Sequence, residues 1–171
     1  MPAANAERHR VLVAGLGNIF LGDDAFGVEV ANRLSEMPMP EAVRVLDVGI
    51  RSRHLAYELL EGDYDTAILL DIVSKGGEPG TLYVLEPERA DSLAPPDVPD
   101  GHMIQPQDVL ALVRSLGGRV GRVLIVGCEP SRVDEEPGLS PRVAAAVDDA
   151  IPLVLRLIAS STVDAAAQGQ G

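Results

Sequence analysis

Three acidic side chains occur where a catalytic or metal-binding group is expected, at or shortly after the ends of short apolar runs. Asp24 lies in the loop after the first run, while Asp47 and Asp71 end the second and third runs. Carboxylates are hard, anionic ligands for divalent metals, and a close pair can also act as general acid and base. The sequence therefore predicts a carboxylate site, with Asp24 and Asp71 as its main members.

One imidazole would complete a set of three ligands and leave positions open for water or substrate. Of the three histidines, His9 falls in a predicted tail and His54 on a predicted helix, where it is expected at the surface. His102 lies in the proline-rich segment 86–106, which leads into a predicted helix and is a candidate lid. His102 is therefore the preferred third ligand.

The glycine-rich loop 15–27 also invites a nucleotide-binding interpretation. A dinucleotide fingerprint needs a small residue where this chain has Phe20, and it would not place Asp23 and Asp24 at the helix start meant for pyrophosphate. A P-loop fails because no Gly-Lys-Ser/Thr follows the loop. Asp47, at the end of a strand, resembles a ribose-binding acid, so a nucleotide-cofactor enzyme stays open as an alternative.

Strands and helices alternate along the chain, which indicates an α/β fold with a parallel sheet. The predicted strands are short, mostly continuous β-branched runs, as expected of strands covered on both faces: Arg10–Gly15, Val43–Asp47, Thr66–Asp71 and Arg122–Gly127. The predicted helices cover 25–36, 52–60, 105–116 and 141–159, the last beginning with Ser140 as N-cap and Pro141 at the first position.

A fifth strand, Thr81–Glu86, follows the third after only nine residues, 72–80, which are too few for a helical crossover. We therefore expect it to be an antiparallel edge strand. The predicted fold class is a three-layer α/β sandwich, with a twisted, mostly parallel sheet of about five strands and helices on both faces. Ligands of such sheets bind at the carboxyl ends of the strands, where the acidic candidates lie.

Length and composition limit the classes of function. The 171 residues suit one domain, expected at 10–159, with a flexible tail at 1–9 and a disordered tail at 160–171. The net charge of −12 disfavours nucleic acid and anionic membrane surfaces as partners. A single cysteine, Cys128, excludes an internal disulfide and fits a reducing compartment, so we expect a cytoplasmic protein.

Several of these residues also have simple structural interpretations. Asp23 and Asp24 are favourable at a helix start without any function, because they cap the helix and complement its dipole. We expect Asp23 to be such a cap. Cys128 is more typical of a small buried apolar residue than of a nucleophile, since no catalytic signature surrounds it.

The loop Gly15-Leu-Gly-Asn-Ile-Phe-Leu-Gly-Asp-Asp-Ala-Phe-Gly-Val28 closely resembles the N-terminal signature of the hydrogenase maturation endopeptidases. Further segments resemble this family in the same order along the chain: 69–75 with 79–81, His102 before 108–110, 126–130 and 138–141. The resemblance covers residues 10 to 158.

The resemblance implies an endopeptidase that removes a C-terminal extension from the large-subunit precursor of [NiFe] hydrogenase. Carried over residue by residue, it implies that the family's two acids correspond to Asp24 and Asp71, and its histidine to His102. These three would contact nickel that is already inserted in the precursor, so the metal arrives with the substrate. The resemblance also implies a monomer, with maturation chaperones as candidate further partners.

The residues leave the chemical step open, because either a metal polarises the carbonyl or bound water, or a carboxylate acts as general base. Asp47 is a candidate for that base or for a supporting role, and Asn18 is a second candidate for support. A nickel-binding maturation factor without protease activity would use the same three ligands, and is a further alternative.

Overall fold

The computed structural model describes residues 9–86, 111, 113–118 and 121–168, whose strands form one five-stranded sheet. The strands lie in the order β2-β1-β3-β5-β4. Neighbouring strands are parallel except β4, which pairs antiparallel with β5 at the edge. The bounds are β1 Val11–Leu16, β2 Val43–Gly49, β3 Thr66–Ile72, β4 Leu82–Leu85 and β5 Arg122–Cys128. The predicted sheet with its antiparallel edge strand is confirmed.

The parallel register brings the carboxyl ends of four strands to one edge of the sheet. Gly15 of β1 lies opposite Asp47 of β2 and opposite Leu70 of β3. The next residue of β3, Asp71, lies opposite Gly127 of β5. Residues that follow these strands are therefore neighbours in space although they are far apart in sequence.

In the described ranges, three helices of ten or more residues cover the two faces of the sheet: α1 Phe26–Ser35, α2 Ser52–Glu61 and α3 Pro141–Gln168. Because side chains alternate along a strand, Val11 and Val13 pack in the core with α1 and α3, while Leu12 and Ala14 pack in the core with α2. Both sets are fully buried. The predicted three layers are confirmed, and they account for strands that are continuously apolar rather than alternating.

The chain ends differ from the prediction. α3 continues to Gln168, so the predicted helix end at Ala159 and the tail expected from residue 160 are wrong over 160–168. Within this extension Ser161 is buried, and its hydroxyl donates to the carbonyl of Leu157 at 2.7 Å. His9 is not a free tail residue either, because its Nε2 is hydrogen-bonded to Thr66 Oγ1 at 2.8 Å.

Two predicted segments fall wholly or partly outside the described residues. Residues 1–8 lie outside them, as does most of the predicted helix 105–116, of which residues 111 and 113–115 are helical. In the ranges that the structure describes, α3 and the other helices lack the combination of length and apolarity that crossing a bilayer requires.

Candidate active site

The loop after β1 turns sharply so that α1 begins against the ends of β1 and β3. A 3-10 turn, Gly22–Ala25, leads directly into α1. A Cβ on Gly27 would lie 2.1 Å from the carbonyl oxygen of Leu70 and 2.6 Å from that of Leu16, so only glycine permits this approach. The turn thereby carries Asp24 to the end of β3, where Asp71 lies.

Asp24 is held with its carboxylate inside the protein. Its side chain is only 6% exposed, and Oδ2 accepts the backbone N–H of Asn18 at 2.9 Å. Burial raises the pKa of Asp24, and the hydrogen bond from Asn18 opposes that rise without cancelling it. A Cβ on Gly17 would lie 1.9 Å from the Asp24 carbonyl oxygen, so the glycine lets the loop fold tightly over this residue.

Asp71 is the second buried carboxyl of the site, at 7% exposure. Its Oδ1 accepts the backbone N–H of Ile72 at 2.8 Å. Burial raises the pKa of Asp71 to about 8, and the nearby negative charge of Asp24 contributes to the rise. The predicted convergence of the two acids is thus present, and at neutral pH Asp71 keeps its proton beside Asp24. Such a pair can donate and accept protons, and it can exchange its proton for a cation.

Because the pKa of Asp71 is raised in the folded protein, its contribution to stability decreases as pH rises. Between an unfolded pKa of 3.8 and a folded pKa of about 8, the folded protein holds a proton that the unfolded chain has released. The Asp71 contribution to the free energy of unfolding therefore falls as pH rises through this window, by a few kcal/mol, and levels off above about pH 8.

We expect Asp71→Asn, which carries no charge at any pH, to remove this contribution and to be more stable than wild type at pH 8. Urea denaturation of both proteins at pH 5, 6.5 and 8 measures the difference. A stability difference that stays constant with pH would show that the pKa of Asp71 is not raised.

Asp23, the neighbour of Asp24, is not the helix cap that the sequence predicts. The 3-10 turn begins after Leu21, and no side chain caps it. The Asp23 carboxylate instead accepts the backbone N–H groups of Ser131, Arg132 and Ser140, and the hydroxyl of Ser140, at 2.7 to 2.9 Å. Burial alone would raise the pKa of Asp23, but the donors from Arg132, Ser140 and Ser131 outweigh it and hold the pKa below its ordinary value.

Asn18 contacts the pair, whereas Asp47 lies one strand further away. The main chain of Asn18 supports Asp24, whereas its side-chain Oδ1 accepts the N–H of Phe20 at 2.9 Å. Asp47 is exposed near the end of β2, which β1 separates from β3, and it lines a groove beside the loop. The structure thus gives Asn18 a supporting contact through its backbone, and the role of Asp47 stays a prediction.

Glu129 is a buried acid at this sheet edge that the sequence motifs did not single out as a site residue. It follows β5 directly, and its carboxylate accepts the N–H groups of Lys75 and Gly76 and the hydroxyl of Tyr83. The hydrogen bond from Lys75 is the main cause of its lowered pKa. Glu129 therefore fixes the loop after β3 and is not available for chemistry.

Cys128, just before Glu129, is fully buried. Burial raises the pKa of its thiol to about 12, with the charges of Asp23 and Glu129 adding to the effect. The thiolate is the nucleophilic form, so Cys128 is inert at neutral pH. The expectation of a small buried residue is confirmed.

His102, the predicted third ligand, lies outside the described residues. His54 is exposed on α2, as expected. Within the described ranges, no group of three or more histidine, cysteine or acidic side chains is placed to hold a metal ion. The described part of the site consists of Asp24 and Asp71, which supply two hard oxygen donors and leave further ligands to come from elsewhere.

Comparison with known proteins gives a consistent result. Residues 28–157 match a family model described as hydrogenase maturation protease. The chain is 33% identical over 158 residues to the hydrogenase 2 maturation protease of Escherichia coli, covering 91% of this chain and 94% of that protein. It is 34% identical over 158 residues to the hydrogenase expression/formation protein HupD of Rhodobacter capsulatus, covering 91% of this chain and 73% of that protein.

The solved structures agree. The hydrogenase maturating endopeptidase HybD from E. coli superposes with a TM-score of 0.74 at 31% sequence identity, covering 89% of this chain and 93% of that one. The similarity extends over most of both chains at this identity. It therefore covers the whole domain and is not limited to one motif.

Proposed function

Since the chain belongs to the hydrogenase maturation protease family, and is therefore a hydrolase, we propose that it removes the C-terminal extension of a [NiFe] hydrogenase large-subunit precursor after nickel insertion. In this proposal Asp24, Asp71 and His102 contact the nickel that the precursor carries. The metal belongs to the substrate, and its presence signals that the precursor is ready for cleavage.

The observation that supports these roles is the pair of buried carboxyl groups formed by Asp24, in the turn before α1, and Asp71, at the end of β3. Burying two nearby acids is costly, and the proton that Asp71 keeps offsets this cost. A divalent cation can replace that proton, as these roles require. Two carboxylates alone coordinate a divalent metal incompletely. Ligands from the precursor and from His102 would complete the set, which makes binding depend on a loaded precursor.

The reaction is the hydrolysis of one peptide bond. A water oxygen adds to the scissile carbonyl, the carbon–nitrogen bond breaks, and a proton passes to the departing amine. Two routes activate the water, either polarisation by the precursor's metal or proton removal by a carboxylate, and both require acids at positions 24 and 71. Asp47 is proposed as a supporting acid at the edge of the site, and Asn18 as the residue whose backbone orients Asp24.

The role of His102 is tested by comparing two histidines of the same chain. We expect His102→Ala to lose processing of a nickel-loaded large-subunit precursor, because one contact to the metal is missing. His54→Ala removes an exposed helix histidine and should process at the wild-type rate. Intact-mass spectrometry of the precursor after incubation measures both, and full activity of His102→Ala would remove that residue from the site.

The same experiment tests the two alternative functions. A nickel-binding factor without protease activity would form a stable complex with the precursor and leave its mass unchanged. Family membership already favours the protease. The matching family model and the similar E. coli structure are both described as hydrogenase maturation proteins, and neither is described as a nucleotide-cofactor enzyme. Absence of any complex together with an unchanged mass would contradict the proposal as a whole.

A further inference from the structure

A groove opens beside the carboxylate pair, between the loop after β1, the first half of α1 and the end of β2. Its volume is about 540 Å³, within the usual range for sites that bind small molecules or peptide segments. Glu29 and Asn32 of α1 form one wall, and Asp47 and Gly49 belong to the opposite one.

The rim of the groove is unusually apolar for a chain with a net charge of −12. Phe20 is 67% exposed, Ile50 is 60% exposed and Ile19 is 49% exposed, and all three line the groove. Single exposed apolar side chains are ordinary, but three around one concave surface indicate a binding site for an apolar group. Phe20 is also one of only two phenylalanines in the chain.

The loop after β1 connects the groove to the carboxylate site. The N–H of Gly17 donates to the carbonyl of Gly49 at 3.0 Å, which ties this loop to the end of β2. The next residue, Asn18, lines the groove and donates its N–H to Asp24. A peptide whose scissile bond lies at Asp24 and Asp71 would therefore have its neighbouring residues within reach of the groove.

The charges of the groove restrict what it accepts. Glu29 and Asp47 line it with two negative charges, and Arg51 lines it with one positive charge, which its hydrogen bonds to the neutral carbonyls of Asp47 and Val48 leave in place. The groove therefore carries a small net negative charge, which disfavours an acidic side chain of the substrate. An apolar segment without acidic residues suits both the rim and the charge.

We propose that this groove binds the segment of the precursor next to the scissile bond, in extended form, with an apolar side chain packed against Phe20 and Ile50. The proposal rests on the proposed function, because it names the part of that substrate which the groove selects. Phe20 is then a specificity-determining residue that contributes to binding and takes no part in the chemistry.

Steady-state kinetics of precursor processing test this with a matched pair of aromatic substitutions. We expect Phe20→Ala to raise KM about tenfold and to leave kcat within about twofold of wild type, as for a contact made equally in ground and transition states. Tyr57→Ala removes an aromatic side chain of similar exposure, 57%, from α2 outside the groove. The KM of Tyr57→Ala should equal that of wild type.

A second substitution, in the substrate, shows whether the contact is direct. Shortening the apolar residue that flanks the scissile bond to alanine should raise KM for wild type and have little further effect on Phe20→Ala, because the two changes remove one contact. Additive effects would contradict that contact. An unchanged KM in Phe20→Ala would overturn the groove assignment. In that case, cleavage of the precursor by wild type would still support the proposed protease function.

Two further results would contradict the groove assignment. If wild type leaves the precursor intact, the proposed function fails and the groove assignment fails with it. Sedimentation of wild type and of Phe20→Ala tests whether a second copy of this chain, rather than the precursor, occupies the groove. We expect both to be monomers, and a wild-type dimer that Phe20→Ala dissociates would show that the groove serves self-association instead.

Discussion

Asp71→Asn is expected to lower the rate of precursor processing by at least about 100-fold while the protein stays folded. Asparagine keeps the size of the side chain and an oxygen that can accept the Ile72 N–H, so the local structure has little reason to change. It cannot, however, take up or release a proton, and it cannot ionise to become the charged ligand that a metal ion favours. Both routes to cleavage lose a required group, and Asp24→Asn should behave in the same way.

The measurement is the initial rate of C-terminal peptide release, followed by intact mass, with thermal denaturation as the test of folding. Asp149→Asn supplies a matched control, because it makes the same change at an exposed acid of α3. We expect wild-type activity from this control. Activity within tenfold of wild type in either Asp24→Asn or Asp71→Asn would exclude that residue from the reaction.

Asp23→Ala should destabilise the fold by about 3 to 5 kcal/mol, the range seen when one partner of a buried charged network is removed. The Asp23 carboxylate is fully buried and accepts four hydrogen bonds, and its loss leaves the N–H groups of Ser131, Arg132 and Ser140 without this acceptor. Unsatisfied buried donors each cost about 1 to 3 kcal/mol. The segment after β5 would also be held less firmly to the turn that carries Asp24, although the backbone bond from the Asp23 N–H to the Arg132 carbonyl would remain.

Urea denaturation at pH 7 measures this effect, with Asp149→Ala as the exposed control, for which we expect a change within about 0.5 kcal/mol. Because the folded pKa of Asp23 is lowered, its stabilising contribution is present above pH 4 and is lost as pH falls through the folded pKa. The difference between wild type and Asp23→Ala should therefore shrink in acid. A loss of less than 1 kcal/mol at pH 7 would show that the network contributes little.

The carboxylate pair was predictable because a simple rule connects strand order to position. Asp24 follows one strand of continuous apolar residues and Asp71 lies at the end of another, and parallel strands end at the same edge of the sheet. The rule needs no knowledge of side-chain contacts. It applies equally to Glu129, which follows β5, but only the structure shows that Lys75, Gly76 and Tyr83 occupy its carboxylate.

The role of Asp23 could not be predicted in this way, because its partners lie 108 to 117 residues further along the chain. From local sequence it is indistinguishable from an ordinary helix cap. The end of α3 was missed for a different reason. The Ala, Ser and Gln composition after Ala159 shows no apolar period, yet the helix continues to Gln168 and Ser161 within it is buried.

We propose that cleavage depends on nickel carried by the precursor and on the carboxyl pair that meets it. Intact-mass spectrometry can compare one large-subunit precursor, prepared with and without nickel, after incubation with wild-type protein. We expect loss of a C-terminal peptide from the nickel-loaded precursor and no loss from the nickel-free one. Equal cleavage of both forms, or cleavage of neither, would contradict it.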